Sequence, residues 1–178
     1  MNYKFQIFGL IVGMGLLSCT NPAPQIPVNK MEQEDVKGSL MEMNKQFYDL
    51  ENEEINHFID STKWDGKREG TGIGIRIIKE GNGQKVSLSD DVTIRYSIRM
   101  LDGTSCDQLT KVTKTINLEK GEMIIGMREA ILGMTISETS EFIIPSYLAY
   151  GVVGFPKCIA GWTPIICEIT LIDSNKRL

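Results

Sequence analysis

A tyrosine beside a glycine-flanked bend is the most informative chemical feature of this sequence. Residues 144–154 place the hydroxyl of Tyr150 directly before Gly151, after a short apolar run typical of a strand. The lone histidine, His57, has no cysteine or second histidine at metal-ligand spacing and no plausible nucleophile motif beside it. These residue types therefore favour chemistry that needs no nucleophile and no metal.

A glycine-rich run at residues 70–74 could be mistaken for a phosphate-binding loop. It lacks the preceding strand, the following helix and the lysine that such loops require. We interpret it as the start of a β-strand, and we expect no cofactor.

Two further segments precede the tyrosine run. Residues 92–107 alternate apolar and polar side chains and then contain an Asp-Gly turn and an aspartate, and residues 121–134 carry a short apolar helix signal. The three segments in this order resemble FKBP-type peptidyl-prolyl isomerases over about residues 81–173. The resemblance implies an α+β fold, in which an FKBP-like antiparallel half-barrel sheet wraps around a short helix.

The activity that the resemblance implies is rotation about the peptide bond that precedes proline. Resonance sets a barrier of roughly 18–20 kcal/mol, whereas the cis and trans states differ by only ~0.5–1 kcal/mol. A catalyst therefore needs only to favour the twisted amide. An apolar pocket that holds the proline ring and removes water from its carbonyl does this, and hydrogen-bond donors at the rotated carbonyl add selectivity.

The resemblance also assigns roles to individual residues. Tyr150 would point its hydroxyl at a substrate carbonyl, and the backbone N–H of Ile124 would offer a second donor. Tyr96 and Asp107 would form a polar wall beside an apolar side and floor. The substrate-binding residues that it implies are Cys106, Met123, Met127, Phe155, Ile159 and Cys167.

Three positions depart from the family pattern. Cys106, Met127 and Cys167 stand where the family usually has aromatic side chains, which bury far more area than cysteine. We therefore expect a roomier pocket and weakened isomerase activity. The alternative function is a non-catalytic FKBP-like chaperone or peptide-binding module.

The N-terminal segment has the character of a bacterial lipoprotein signal. Lys4 precedes an apolar run over residues 5–17, and a serine then precedes Cys19, a pattern that resembles a lipobox. The alternative is an uncleaved anchor, but the run is shorter than the ~20 residues that span a bilayer. We expect residues 1–18 to be a signal peptide and Cys19 to be lipidated.

The location and partners follow from that signal and from the charge. We expect a protein of the bacterial cell envelope, anchored to the membrane through Cys19 and facing the periplasm, that acts on proline-containing segments of exported proteins. This plan resembles the gliding-motility-associated isomerase-like lipoproteins. A net charge of −4 provides no basic stripe, so we expect no nucleic-acid partner.

The remaining segments follow from composition and periodicity. Residues 19–38 contain three prolines and are predicted to be a tether, followed by a helical extension over residues 39–65 and an FKBP-like domain over residues 70–175. The helix, from about Ser39 to Thr62, is predicted to be amphipathic, with a break near Glu53. Within its apolar stripe, Phe47, Leu50 and Phe58 are expected to pack on another helix, by self-association or against the domain. The stripe comprises Leu40, Met43, Phe47, Leu50, Ile55, Phe58 and Ile59.

Within the domain, local patterns predict short strands and one helix. Alternation is clearest over residues 92–100, and further strands are predicted over residues 73–79, 111–118, 139–144 and 165–172. The helix is predicted over residues 123–132, ended by Gly133.

Three cysteines remain besides Cys19. The resemblance places Cys106 after the Asp-Gly turn, Cys158 in the flap loop and Cys167 on the last strand, around one pocket. Each is either a small buried side chain or, in an oxidising compartment, Cys106 pairs with Cys158 or Cys167 and pins the flap. A thiol-redox function is disfavoured because no Cys-x-x-Cys occurs.

Overall fold

The computed structural model describes residues 30–176 of the 178-residue chain, with side chains from residue 36. The predicted signal peptide, Cys19 and the first part of the predicted tether lie outside the described residues. The chain divides into two units, residues 1–40 and 41–178. The regular elements are α1 (Lys30–Thr62), β1 (Lys67–Arg68), β2 (Gly74–Lys79), β3 (Asp90–Met100), β4 (Val112–Asn117), α2 (Ile125–Leu132), β5 (Thr139–Ile144) and β6 (Ile165–Lys176).

The strands form one antiparallel sheet in the order β1-β2-β5-β6-β3-β4. The two longest strands, β3 and β6, pair along their whole length at its centre. The predicted strands are confirmed, although β6 continues past residue 172 and the two-residue β1 gave no sequence signal. The predicted antiparallel sheet with a short helix is the observed architecture.

The inner face of the sheet packs against α2 and forms the main core. Phe142 and Ile144 from β5 and Cys167 and Ile169 from β6 point to this face, and all are at most 1% exposed. Helix α2 begins two residues later than predicted, because Ile124 has extended backbone geometry (φ −61°, ψ 147°) and serves as its N-cap. Gly133 ends the helix, as predicted.

Helix α1 is longer than predicted and has no break. It begins at Lys30, so residues 30–38 are helical rather than part of the tether, and it continues through Glu53 to Thr62. The reason lies in composition: the prolines of the tether end at Pro27, and the residues that follow are mostly good helix formers. The exposed large apolar side chains of α1 are Val36, Leu40, Met41, Met43, Phe47, Tyr48 and Leu50.

The last turns of α1 pack on the outer face of the sheet. Lys63 adopts a left-handed conformation (φ 52°), and the N–H of Trp64 donates to the carbonyl of Ile59 (3.0 Å), so the helix stops and Trp64 turns inward. Ile55 and Trp64 then pack with Ile143 of β5 and Ile166 of β6. In the described part of the chain, this half of the apolar stripe therefore packs on strands, not on another helix.

A buried carboxylate holds this outer face together. Glu141 on β5 accepts hydrogen bonds from Trp64 Nε1 (2.7 Å), Arg76 Nη2 (2.7 Å) and Arg99 Nη2 (2.8 Å). The three donors come from the segment after α1, from β2 and from β3. Glu141 thus joins the end of the helix to two strands of the sheet.

Candidate active site

A cavity of about 410 Å³ opens between the inner face, the start of α2 and the segment that joins β5 to β6. We call that segment the flap (residues 145–164). Most of the lining side chains are apolar, and two tyrosines add hydroxyl groups. The lining residues are Ile94, Tyr96, Leu109, Lys114, Ile116, Gly121, Glu122, Met123, Ile124, Met127, Tyr150 and Phe155.

The flap places Tyr150 at this cavity by a series of tight turns. Its first residues, Ser146–Leu148, form a 3₁₀ helix, and Gly151 (φ 59°) and Gly154 (φ 72°) then reverse the chain. Gly154 allows no side chain, because a Cβ atom would lie 2.2 Å from the carbonyl oxygen of Ile159. The ring of Tyr150 packs against that of Phe155, with the ring centroids 5.3 Å apart.

The hydroxyls of Tyr150 and Tyr96 are available as hydrogen-bond donors. Neither has a protein hydrogen-bond partner among the described residues. Burial raises the pKa of Tyr150 well above its usual range, and Tyr96 and Cys167 raise it further. Burial also raises the pKa of Tyr96, with a contribution from Cys167. Both side chains therefore stay protonated at neutral pH and can donate to an acceptor in the cavity.

The start of α2 adds a backbone donor. Ile124 lines the cavity as the N-cap residue, and its own side chain makes no capping hydrogen bond. The first amides of a helix have no acceptor within the helix, and they lie at the positive end of its dipole. An acceptor entering the cavity can therefore use the N-terminus of α2 as well as the tyrosine hydroxyls.

The floor of the cavity is formed by methionine side chains, which are apolar and can adapt their shape. Met127, in the first turn of α2, is 3% exposed, and Met123 is partly buried. Methionine adapts its shape readily because it is unbranched. Six of the ten predicted site residues thus meet at one cavity, namely Tyr96, Met123, Ile124, Met127, Tyr150 and Phe155.

The other four predicted site residues do not line the cavity. Asp107 is exposed as the first residue of a 3₁₀ helix, and the third residue of that helix, Leu109, turns inward in its place. Cys106 and Ile159 are buried in the core behind the cavity wall. Cys167 is fully buried on β6, where Ile98 and Phe142 are its strand partners.

A disulfide joins two parts of the cavity rim. Cys106, directly before the 3₁₀ helix that carries Leu109, is bonded to Cys158 in the flap, with their Cα atoms 5.6 Å apart. Of the pairings left open by the sequence, the structure has this one, and Cys167 remains a free buried thiol. The bond ties the flap to the segment that carries Leu109, as the pairing hypothesis expected.

The sequence analysis missed the contribution of β4 to the cavity. Lys114 and Ile116 line it from this strand, and Lys114 Nζ donates to the carbonyl of Glu122 (3.4 Å). Alternation along β4 would have placed both residues on one face, but the strand signal was too weak to assign that face to the site.

Comparison with known proteins agrees with this geometry. The family model of the FKBP-type peptidyl-prolyl cis-trans isomerase matches residues 82–172, which is just over half of the chain. This chain belongs to the FKBP family. The matched FKBP segment begins after α1 and ends in β6, so it contains every residue that lines the cavity.

Two relatives of this FKBP domain carry the name Mip or MIP. The peptidyl-prolyl cis-trans isomerase Mip of Coxiella burnetii is 30% identical over 111 residues, which are 62% of this chain and 48% of that protein. The outer membrane protein MIP of Legionella longbeachae is 35% identical over 102 residues, 57% and 41% of the two chains. The matched part therefore spans less than half the length of either relative.

Solved structures show the same FKBP fold. A peptidyl-prolyl isomerase from Pseudomonas syringae aligns with a TM-score of 0.61 at 26% identity, covering 72% of this chain and 96% of that one. FkpA from Escherichia coli aligns with a TM-score of 0.62 at 24% identity, covering 83% and 70%. Of the helices between residues 30 and 176, none is long and apolar enough to cross a membrane.

Proposed function

We propose that this FKBP domain catalyses cis/trans isomerisation of the peptide bond that precedes proline. The observation that carries the proposal is that hydrogen-bond donors without an acceptor in the described part of the chain converge on an apolar cavity. The Tyr150 hydroxyl and the N-terminus of α2 border it, and Met127 closes its floor. No nucleophile or proton transfer is needed, because the reaction only rotates an amide bond.

The geometry can favour the twisted amide in two ways. The proline ring would lie against the apolar floor, so that the adjoining carbonyl leaves bulk water. Twisting removes amide resonance and makes the amide less polar, so loss of water disfavours the planar state more than the twisted one. Tyr150 and the Ile124 amide would then donate to carbonyls of the bound segment and hold it in the twisted form.

The apolar floor also supports the second candidate function. Met127 can adapt to a peptide without fitting the proline ring closely. A non-catalytic FKBP-like chaperone or peptide-binding module would use the same cavity and the same donors. The two candidates differ in whether cis/trans isomerisation of the bound prolyl bond is accelerated.

Exchange kinetics on a short Xaa-Pro peptide test the catalytic proposal. In a soluble protein that begins after Cys19, Tyr150→Phe is expected to lower kcat/KM about tenfold, because one donor to the rotated state is lost. Met127→Trp is expected to raise it by filling the floor. Asp107→Ala should stay within about twofold of the unchanged protein, because that side chain is exposed.

The matched control is Tyr48→Phe, which removes a hydroxyl from an exposed tyrosine of α1. Unchanged rates in Tyr150→Phe would contradict the proposed donor. No exchange enhancement in either the unchanged protein or Met127→Trp would defeat the catalytic proposal. Peptide binding measured by NMR titration would then support the non-catalytic candidate.

Membrane attachment through lipidated Cys19 is part of the proposal, with exported, proline-containing proteins as clients. The lipobox-like pattern around Cys19 supports it, and one relative is named an outer membrane protein. Cys19→Ala should abolish incorporation of labelled fatty acid and release the protein from membranes. Labelling that persists in this variant would contradict the anchor. The likeness to gliding-motility-associated lipoproteins rests on the same arrangement.

Self-association through α1 completes the proposal. Leu50 is 61% exposed and Met43 is 46% exposed, so much of the predicted apolar stripe is uncovered. Apolar side chains at helical spacing on an exposed face are typical of helix–helix contacts. Sedimentation of the soluble protein should show an oligomer that Leu50→Glu dissociates, and a monomer at all concentrations would refute the idea.

A further inference from the structure

A buried carboxylate of α1 binds the first turn of the flap. The side chain of Glu51 accepts hydrogen bonds from the backbone N–H and from the hydroxyl of Ser146, the latter at 2.8 Å. Glu51 is only 7% exposed, and the two residues are 95 positions apart in the chain. A carboxylate this buried that meets both donors of one residue fixes the position of that residue.

Ser146 passes this restraint to Tyr150. Its carbonyl oxygen accepts the N–H of Ala149 (3.0 Å) and the N–H of Gly151 (2.8 Å). These two amides lie directly before and directly after Tyr150 in the chain. The turn that carries the tyrosine is therefore hydrogen-bonded to a residue whose own place is set by Glu51.

A second contact from α1 supports the other side of the same turn. The ring of Phe47 stacks on Trp162, with centroids 4.7 Å apart and an interplanar angle of 8°. The N–H of Trp162 donates to the carbonyl of Gly151 (2.9 Å). Helix α1 thus reaches Gly151 by two independent routes, one polar and one aromatic.

Nearby charges do little to favour a buried carboxylate at this place. Arg68, a cation that acts on this carboxyl, donates to Asn52, to Asn56 and to the carbonyl of Gly72, and it forms no described ion pair with Glu51. Burying an ionised group without a counter-ion is unfavourable, so packing alone would favour an apolar residue here. What a carboxylate provides at this position, and an apolar side chain could not, is the pair of hydrogen bonds that holds Ser146 in place.

We propose that α1 sets the position of the Tyr150 hydroxyl through Glu51 and Ser146, which makes Glu51 a positioning residue of the isomerase site. The inference rests on the proposed function for its effect on rate, and on geometry alone for its effect on the flap. Glu51 lies outside the matched FKBP segment, so a helix that precedes this segment would adjust the site.

The first experiment measures amide hydrogen exchange in the protein that begins after Cys19. Glu51→Ala should speed exchange at Ala149 and Gly151 about tenfold, while amides of the central strand β3 keep the rates of the unchanged protein. Glu51→Gln retains an acceptor for the Ser146 amide and should restore most of the protection. The matched control is Glu53→Gln, at an exposed position of the same helix.

The second experiment measures prolyl exchange with the same variants. Glu51→Ala should lower kcat about tenfold with little change in KM, because the donor is misplaced while the apolar floor is intact. Glu51→Gln should recover to within about threefold of the unchanged protein. A merely structural role would lower the melting temperature without this split between kcat and KM.

The outcomes separate this inference from the proposed function. If no protein shows isomerase activity, the proposed function fails, and the exchange rates at Ala149 and Gly151 still decide the inference. Exchange rates and kcat that stay within twofold in Glu51→Ala would overturn it. Should Glu51→Ala not fold, Ser146→Ala, which removes only the hydroxyl, must give a smaller increase in Gly151 exchange; no increase there would also overturn it.

Discussion

On the outer face of the sheet, buried Glu141 accepts hydrogen bonds from Trp64, Arg76 and Arg99, whereas on the inner face the hydroxyls of Tyr96 and Tyr150 have no protein partner among the described residues. Buried polar groups are nearly always paired within a protein. The paired face therefore holds the structure together, and the two hydroxyls without a described partner lie on the face that carries the cavity.

Next to the cavity, the flap and the segment that carries Leu109 are joined by a covalent bond, unlike either face of the sheet. The Cys106–Cys158 bond encloses a sequence separation of 52 residues. In the chain-entropy account, a loop of that length is worth about 4 kcal/mol of stability. We predict that the double variant Cys106→Ala/Cys158→Ala lowers the free energy of unfolding in urea by about that amount.

Reduction of the unchanged protein by a dithiol provides the control for this variant. The reduced protein and the double variant should unfold at similar urea concentrations, because both lack the same constraint. A loss below about 1 kcal/mol in both would show that the rim is held by packing and not by the disulfide.

The outer face should respond nearly as strongly to loss of its carboxylate. Glu141→Ala leaves the Trp64 indole and two partly exposed guanidinium groups without their shared acceptor. We predict a loss of about 3 kcal/mol in the free energy of unfolding, measured in urea. The control is Glu168→Ala, at the exposed residue directly opposite Glu141 in the β5–β6 register, with a change within about 0.5 kcal/mol. Equal losses in both variants would remove the distinction between the faces.

A smaller effect on the free energy of unfolding, which depends on pH, is expected at Glu51, where α1 contacts the flap. Burial raises the pKa of the Glu51 carboxyl; the two bonds from Ser146 and the charge of Arg68 oppose this shift, while Glu54 adds to it. Tyr147 also lies near this carboxyl. Because the folded state binds the proton more tightly than the unfolded state, the contribution of Glu51 to stability declines as pH rises through its raised pKa.

Urea unfolding from about pH 4 to about pH 8 tests this sign. The stability of the unchanged protein, minus that of Glu51→Gln, should fall as pH rises across the interval. The matched control is Glu53→Gln, at an exposed position of the same helix. If this difference in stability instead increased with pH, the hydrogen bonds from Ser146 would outweigh the effect of burial on the pKa of Glu51.

Local patterns were sufficient for the elements that build the cavity. Alternation over residues 92–100 predicted β3, and the short apolar segment before Gly133 predicted α2. The site residues Tyr96, Ile124 and Tyr150 were instead implied by the resemblance to the FKBP family, and the structure places all three at one cavity. Strands and helices depend on neighbours in sequence, so a single sequence can reveal them.

Contacts between distant segments could not be predicted in the same way. Nothing near Glu51 or Ser146 in sequence indicates that they meet, and the choice of Cys158 over Cys167 as the partner of Cys106 depends on the path of the flap. Local patterns also could not predict whether the side chain of Asp107 faces the cavity or the solvent. The 3₁₀ helix turns Leu109 inward, which leaves the aspartate in solvent.

The buried thiol of Cys167 has a chemical consequence for the rim. Exchange between a thiol and a disulfide requires a thiolate that can reach a sulfur atom, and burial holds the pKa of Cys167 far above its usual range, with no exposed surface. This thiol cannot scramble the Cys106–Cys158 bond while the sheet is closed. The rate at which Cys167 is alkylated would therefore report how often the sheet opens.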